Sequence, residues 1–177
     1  ARDLHKRDSY TYLYLTGLKN LKNENIQDAL RDLNILLTRH KLSHHQTAIT
    51  ASTLSYYYIS RNEPERAIPL LAQAATADIE SATKETSAMS SLAELLYNEG
   101  DIVNAYTYIQ QAMADAAYYG ARQRKAQVGS ILPLIASAKV NNVDEQRKMW
   151  LIYSSIITVL SVLVLVFAVI IFKQLNK

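Results

Sequence analysis

From Met149 to Phe172 the chain runs for about 24 residues without a charged side chain, whereas the sequence ahead of it mixes polar and apolar residues throughout. At 1.5 Å per residue a helix of that length spans roughly 36 Å, enough to cross a hydrocarbon core of ~30 Å with modest tilt. A buried core helix is normally shorter and amphipathic, so the pattern predicts a transmembrane helix. Asn142 followed by Glu145 has the spacing of a capping box, which places the start of this helix at about residue 142. No Gly or Pro follows up to Lys177, so nothing signals a stop before the span is complete.

The polar part carries a repeat. Ala29, Ala67 and Ala105 lie 38 residues apart; each is followed four residues later by an apolar side chain, Leu33, Leu71 or Ile109, and preceded twelve residues earlier by a small one, Gly17, Ser55 or Ala93. A fixed period in this range signals stacked helical hairpins. Small residues mark where the two helices of a hairpin approach closely, and larger ones fill around the contact. The spacing of twelve resembles the tetratricopeptide repeat, although the period exceeds the 34 residues usual there. Leu13, Ala51 and Met89 stand where that family carries an aromatic residue.

The expected helices are Ser9–Lys22 and Ile26–His40, His45–Ser60 and Glu63–Asp78, then Thr83–Asn98 and a helix from Asp101 to Gly120. Pro64 falls in a first turn, where its missing N–H costs nothing, and Gly100 suits a helix C-terminus. A fourth first helix is expected over Ala121–Val140, bent near Gly129 and Pro133, with its partner starting at Val143 as the repeat dictates. On this reading the membrane helix is the second helix of a fourth hairpin. The chain divides into an all-α repeat domain at 1–141, a juxtamembrane and transmembrane helix at 142–173 whose membrane part is about 149–172, and the start of a following segment at 174–177. Ala1–Arg7 reads as the tail of a preceding helix.

A closer resemblance lies in the second half. Asn98-Glu99-Gly100-Asp101, Ala105-Tyr106-x-Tyr108-Ile109, Ala121-Arg122-x-Arg124, Ile131-Leu132-Pro133-x-Ile135 and Gln146-Arg147 ahead of the apolar span resemble a Bacteroides-type family of membrane regulators. Those proteins join a periplasmic tetratricopeptide-like domain to one membrane helix, a cytoplasmic coiled coil and a helix-turn-helix output domain. The resemblance implies a single-pass protein of the bacterial inner membrane with periplasmic repeats and an output domain beyond Lys177.

Composition narrows the chemistry. Only four Gly and three Pro favour a helical chain. The net charge of +3, without a basic stripe interleaved with aromatics, gives no case for nucleic acid. Absence of Cys removes disulfides, thiolate zinc sites and cysteine nucleophiles. No P-loop, dinucleotide, zincin or nucleophile-elbow motif occurs, so neither an enzyme nor a cofactor is expected. His40, His44 and His45 cluster at the turn between the first two hairpins, where a solvated turn is favoured over a metal site.

Three sets of candidate residues remain. The concave face of a hairpin superhelix is lined by its first helices, which turns Tyr14, Leu18, Ser52, Tyr56, Ser90 and Glu94 into a groove, with Tyr97 one turn beyond. Tyr offers large contact area at low entropy cost, so the groove suits a peptide or protein partner; half-buried packing is the competing reading. Arg122, Arg124 and Lys125 open the fourth first helix, and Arg147 and Lys148 flank the span. All five are candidates for lipid headgroups, the first three alternatively for an acidic protein face such as Asp115. Ser154, Thr158, Ser161, Leu165 and Ala168 follow steps of four and three, the spacing of a left-handed helix pair, and point to a homodimer seam; hydroxyls bonded to their own backbone are the alternative.

Basic residues at both ends of the span, Arg147 and Lys148 against Lys173 and Lys177, leave orientation open. Two functions follow. One is a sensor module that relays partner binding through its membrane helix; the other is a tail-anchored scaffold that recruits proteins to a membrane.

Overall fold

The computed structural model describes residues 8–81, 87–120 and 122–175. They form α1 (Tyr10–Lys22), α2 (Ile26–Arg39), α3 (His44–Ser60), α4 (Pro64–Glu80), α5 (Ser87–Asn98), α6 (Ile102–Tyr118) and α7 (Arg122–Leu175), with no strand among the described residues. Ala1–Arg7 and the expected start of the third hairpin at Thr83 lie outside the described residues. Two compact units result, Ala1–Ile135 and Ala136–Lys177.

In the first unit the helices pair as hairpins, α1 on α2, α3 on α4 and α5 on α6. Each hairpin turns in the same way. Glu24, Asn62 and Gly100 all have positive φ, at 62°, 56° and 86°, and they sit 38 residues apart. The next residue's N–H reaches back five positions each time: Asn25 to Asn20 O, Glu63 to Tyr58 O and Asp101 to Leu96 O, all at 2.9 Å. This is the Schellman pairing that satisfies the last carbonyls of a helix. The repeat is therefore written in the backbone as well as in the side chains.

Helix starts are secured by side chains. Ser43 and Gln46 form a reciprocal capping box at the head of α3, and Asp101 accepts from Asn104 N at 3.2 Å. Pro64 opens α4.

The interior forms where small residues let the hairpins close. Ala29, Ala67, Ala105, Ser55 and Ala93 are fully buried, as are Leu33, Leu71 and Ile109 beside them. Each large aliphatic side chain so buried contributes roughly 1.5–3 kcal/mol. A second cluster of Leu13, Leu33, Leu36 and Leu54 joins the first hairpin to the second. The first turns of α7 complete this unit: Val128 and Ile135 are buried in the cluster that holds Ile109 and Ala112. A Cβ on Gly129 would meet Met113 Cε at 3.6 Å, so the end of the Met113 side chain on α6 reaches α7 there.

The three histidines do not converge. His40 Nε2 lies 3.3 Å from Asp8, and His44 Nδ1 lies 2.6 Å from Glu80. Each pair joins the end of a second helix to the beginning of its first.

In the second unit, Ala136–Lys177, residues 136–175 are helical. The turn expected before Val143 is not formed. Asn142 is an interior helical residue whose side chain accepts from Gln146 Nε2 at 3.0 Å, so it caps nothing. Val140, Asn141, Asn142 and Val143 include neither Gly nor Pro, and Asn is tolerated inside a helix at well under 1 kcal/mol. The apolar stretch is thus not the second helix of a fourth hairpin but a later part of the helix that opens at Arg122.

Candidate functional site

Tyrosine hydroxyls join the first helices of the three hairpins, α1, α3 and α5, along one face centred on α3. Tyr14 Oη lies 3.0 Å from Thr53 Oγ1, and Tyr56 Oη lies 3.5 Å from Ser91 Oγ. Hydroxyl contacts therefore run from helix to helix across that face. Tyr10 stacks on Tyr14 with ring centres 5.6 Å apart.

Beside Tyr56 a cavity of about 290 Å³ opens between α3, α4 and α5. It is lined by the buried Ala48, Ala74 and Ala88, whose short side chains leave the space open, and by Ser52, Tyr56 and Asp78. Asp78 is only 7% exposed. His45, Thr53 and Ser87 stand around the same opening. On its other side, Tyr56 borders a wider hollow of about 910 Å³ with Leu21, Ile26, Tyr57 and Arg61.

Of the seven groove residues read from the sequence, Ser52 and Tyr56 come together in this cavity. Tyr14 is half-buried and bonded to Thr53; Leu18 is half-buried, Glu94 exposed, and Tyr97 packed against the core. Ser90 is not available to a partner. It is 3% exposed and donates to Ser87 O at 3.0 Å, because the start of α5 is sunk into the core, with Ala88, Met89 and Leu92 buried around it.

Thr53, Asp78 and Ser87 were not expected at the site. The polar Asp78 at the end of an alanine-rich run, Ala72, Ala74, Ala75 and Ala77, is the one signal that could have drawn attention to it.

The basic residues divide. Arg122, Arg124 and Lys125 form the first turn of α7. Arg147 and Lys148 are exposed and lie directly before Met149. In the second unit the apolar side chains of the span are all exposed, among them Trp150 at its head and Phe172 at its tail. The helix is long and apolar enough to cross a membrane. Thr158 Oγ1 donates to Ser154 O and Ser161 Oγ to Ile157 O, both at 2.8 Å, so those hydroxyls are satisfied within the helix while each oxygen can still accept.

No metal-binding group of three His, Asp or Glu side chains occurs among the described residues. Comparison with curated proteins gives no match. A family model described as the SusR N-terminal TPR domain, where TPR denotes the tetratricopeptide repeat, matches residues 1–130. That range takes in all three hairpins and the first turns of α7. With an all-helical structure and three turns of one geometry, the chain belongs to the SusR N-terminal TPR domain family, a helical-repeat module for protein interaction and regulation.

Proposed function

We propose that this chain is the membrane-anchored sensing part of a one-span regulator, with the repeats in the periplasm. A peptide or protein partner binds the inner face of α3, and the helix in the membrane relays the event, through pairing with a second copy, to an output domain beyond Lys177. The observation that carries this reading is the combination of a SusR-type repeat domain over residues 1–130 with an uncharged helical stretch from Met149 to Phe172 in the same chain. Arg147 and Lys148 then meet phosphate headgroups, and Trp150 lies at the membrane interface where indole rings are enriched.

Orientation is tested by cysteine labelling in intact cells. Thr107, exposed on α6, is a better position than Asn62, whose φ of 56° disfavours a substituted side chain. Labelling of a Thr107→Cys variant by an impermeant maleimide is expected before lysis. Labelling only after permeabilisation overturns the periplasmic placement and leaves a cytosol-facing tethered scaffold.

A further inference from the structure

The cavity beside Tyr56 has a definite chemical character. It is at the lower end of the roughly 300–1,000 Å³ range of ligand pockets, too small for a folded element and suited to one long side chain. Its wall holds a carboxylate, Asp78, that is 7% exposed. The remaining polar groups there are hydroxyls and the His45 ring, and no Lys or Arg lines it among the described residues. An anionic group entering this space would meet the carboxylate at reduced dielectric screening and be repelled. A guanidinium or ammonium group would gain a charge-assisted hydrogen bond from it. Asp78 has another interaction within the protein, but a carboxylate offers about four acceptor positions, enough for one more donor. The Tyr56 ring, 51% exposed at the mouth, adds a face that attracts cations.

We propose that this cavity takes one basic side chain, lysine or arginine, projecting from a peptide or protein partner. The proposal rests on the reading of this face as a partner groove.

The full chain in lipid nanodiscs, carrying fluorinated tyrosine, is titrated with N-acetyl-arginine amide and with its neutral counterpart N-acetyl-citrulline amide. The arginine probe is expected to move the Tyr56 resonance with at least tenfold lower Kd. Asp78→Asn should abolish that preference. Because Asp78→Asn replaces a buried Asp, Ser52→Lys serves as a second variant that leaves Asp78 in place: it tethers an ammonium group at the cavity wall and should weaken the arginine probe at least tenfold while the circular dichroism is unchanged. Equal affinity for the two probes, or arginine binding undiminished in Ser52→Lys, overturns the proposal. An array of capped octapeptides separates it from the groove itself. Binders without Lys or Arg refute the cation preference and leave the groove standing, whereas a complete lack of binders removes both.

Discussion

Gly17 and Leu33 meet so closely that a Cβ placed on the glycine would stand 3.0 Å from Leu33 Cγ and 3.1 Å from its Cδ2. Leu33 is fully buried, so it has little room to yield. The later hairpins place Ser55 and Ala93 at the equivalent position, and only the first needs a glycine. For Gly17→Ala the gain in helix propensity, about 1 kcal/mol, competes with an overpacking cost of about 1–3 kcal/mol. A net loss of about 1 kcal/mol in urea unfolding is expected. Trimming the partner with Leu33→Val should recover part of it, giving a double variant less destabilised than the sum of the two changes. Strict additivity would refute the contact.

The three hairpin turns predict opposite effects for the same exchange. Glu24 adopts φ of 62° with a side chain that gains nothing there, while Gly100 adopts 86° without one. Glu24→Gly should raise stability by up to about 1 kcal/mol, and Gly100→Glu should lower it by about 1–2 kcal/mol. Asn62→Gly should change little, since Asn visits this region more readily than Glu. Thermal unfolding of the three variants, ordered in any other way, would count against a shared turn geometry.

Burial raises the Tyr10 phenol above its ordinary value of 10.0; the neighbouring Tyr14 adds to this and a hydrogen bond with Thr50 opposes it. The folded state therefore holds this proton more tightly than the unfolded state does. The associated stability is present below about pH 10 and is lost as pH rises through the raised folded value. Denaturant midpoints measured from pH 8 to 11 should fall, and Tyr10→Phe should flatten the fall. An identical slope in the variant would show that Tyr10 does not contribute.

Placing a charge in the apolar window tests anchoring. Val164→Lys, near the middle of the span, should cost about 2.5–3.5 kcal/mol of insertion and shift the chain from the carbonate-resistant membrane fraction to the soluble one. Retention of the variant in the membrane to the same extent as the parent would mean that this helix does not span.

Self-association through the span has its own test. Converting Ser154, Thr158 and Ser161 together to Leu should weaken pairing in a membrane two-hybrid reporter by severalfold, since bulky side chains keep the backbones apart. Unchanged signal would leave the Thr158 and Ser161 hydroxyls with only the local bonds to Ser154 O and Ile157 O that they are seen to make.

Much of the fold was legible because one physical requirement recurs. Wherever two helices cross closely a small residue is needed, and Gly17, Ser55 and Ala93 announce the crossings with Ala29, Ala67 and Ala105. The turns were half visible: Gly100 signals a left-handed backbone, but Glu24 and Asn62 occupy the same conformation with residue types that do not advertise it. Asn142 misled because N-x-x-E is a capping pattern only where the preceding residue leaves the helix, and nothing in Val140-Asn141 forces that. The site was legible on one helix alone. Helical phase brought Ser52 and Tyr56 to one face of α3, but it could not reveal that Asp78 on α4 reaches the same cavity, since that depends on how α3 and α4 cross within their hairpin and on where α5 packs against them. Phase also failed at Ser90, where the depth of α5 in the core overrides its direction.

Three bends that share one hydrogen-bond pattern and recur at one constant interval make the hairpins interchangeable parts. A cassette running from Asn62 to Glu99 starts and finishes at equivalent points of the backbone, so a tandem copy inserted there would reproduce every junction it interrupts. Such a lengthened protein should remain folded and carry a second copy of the Asn62 bend. Growth or loss of whole units by recombination is thus open to this architecture without invention of any new joint.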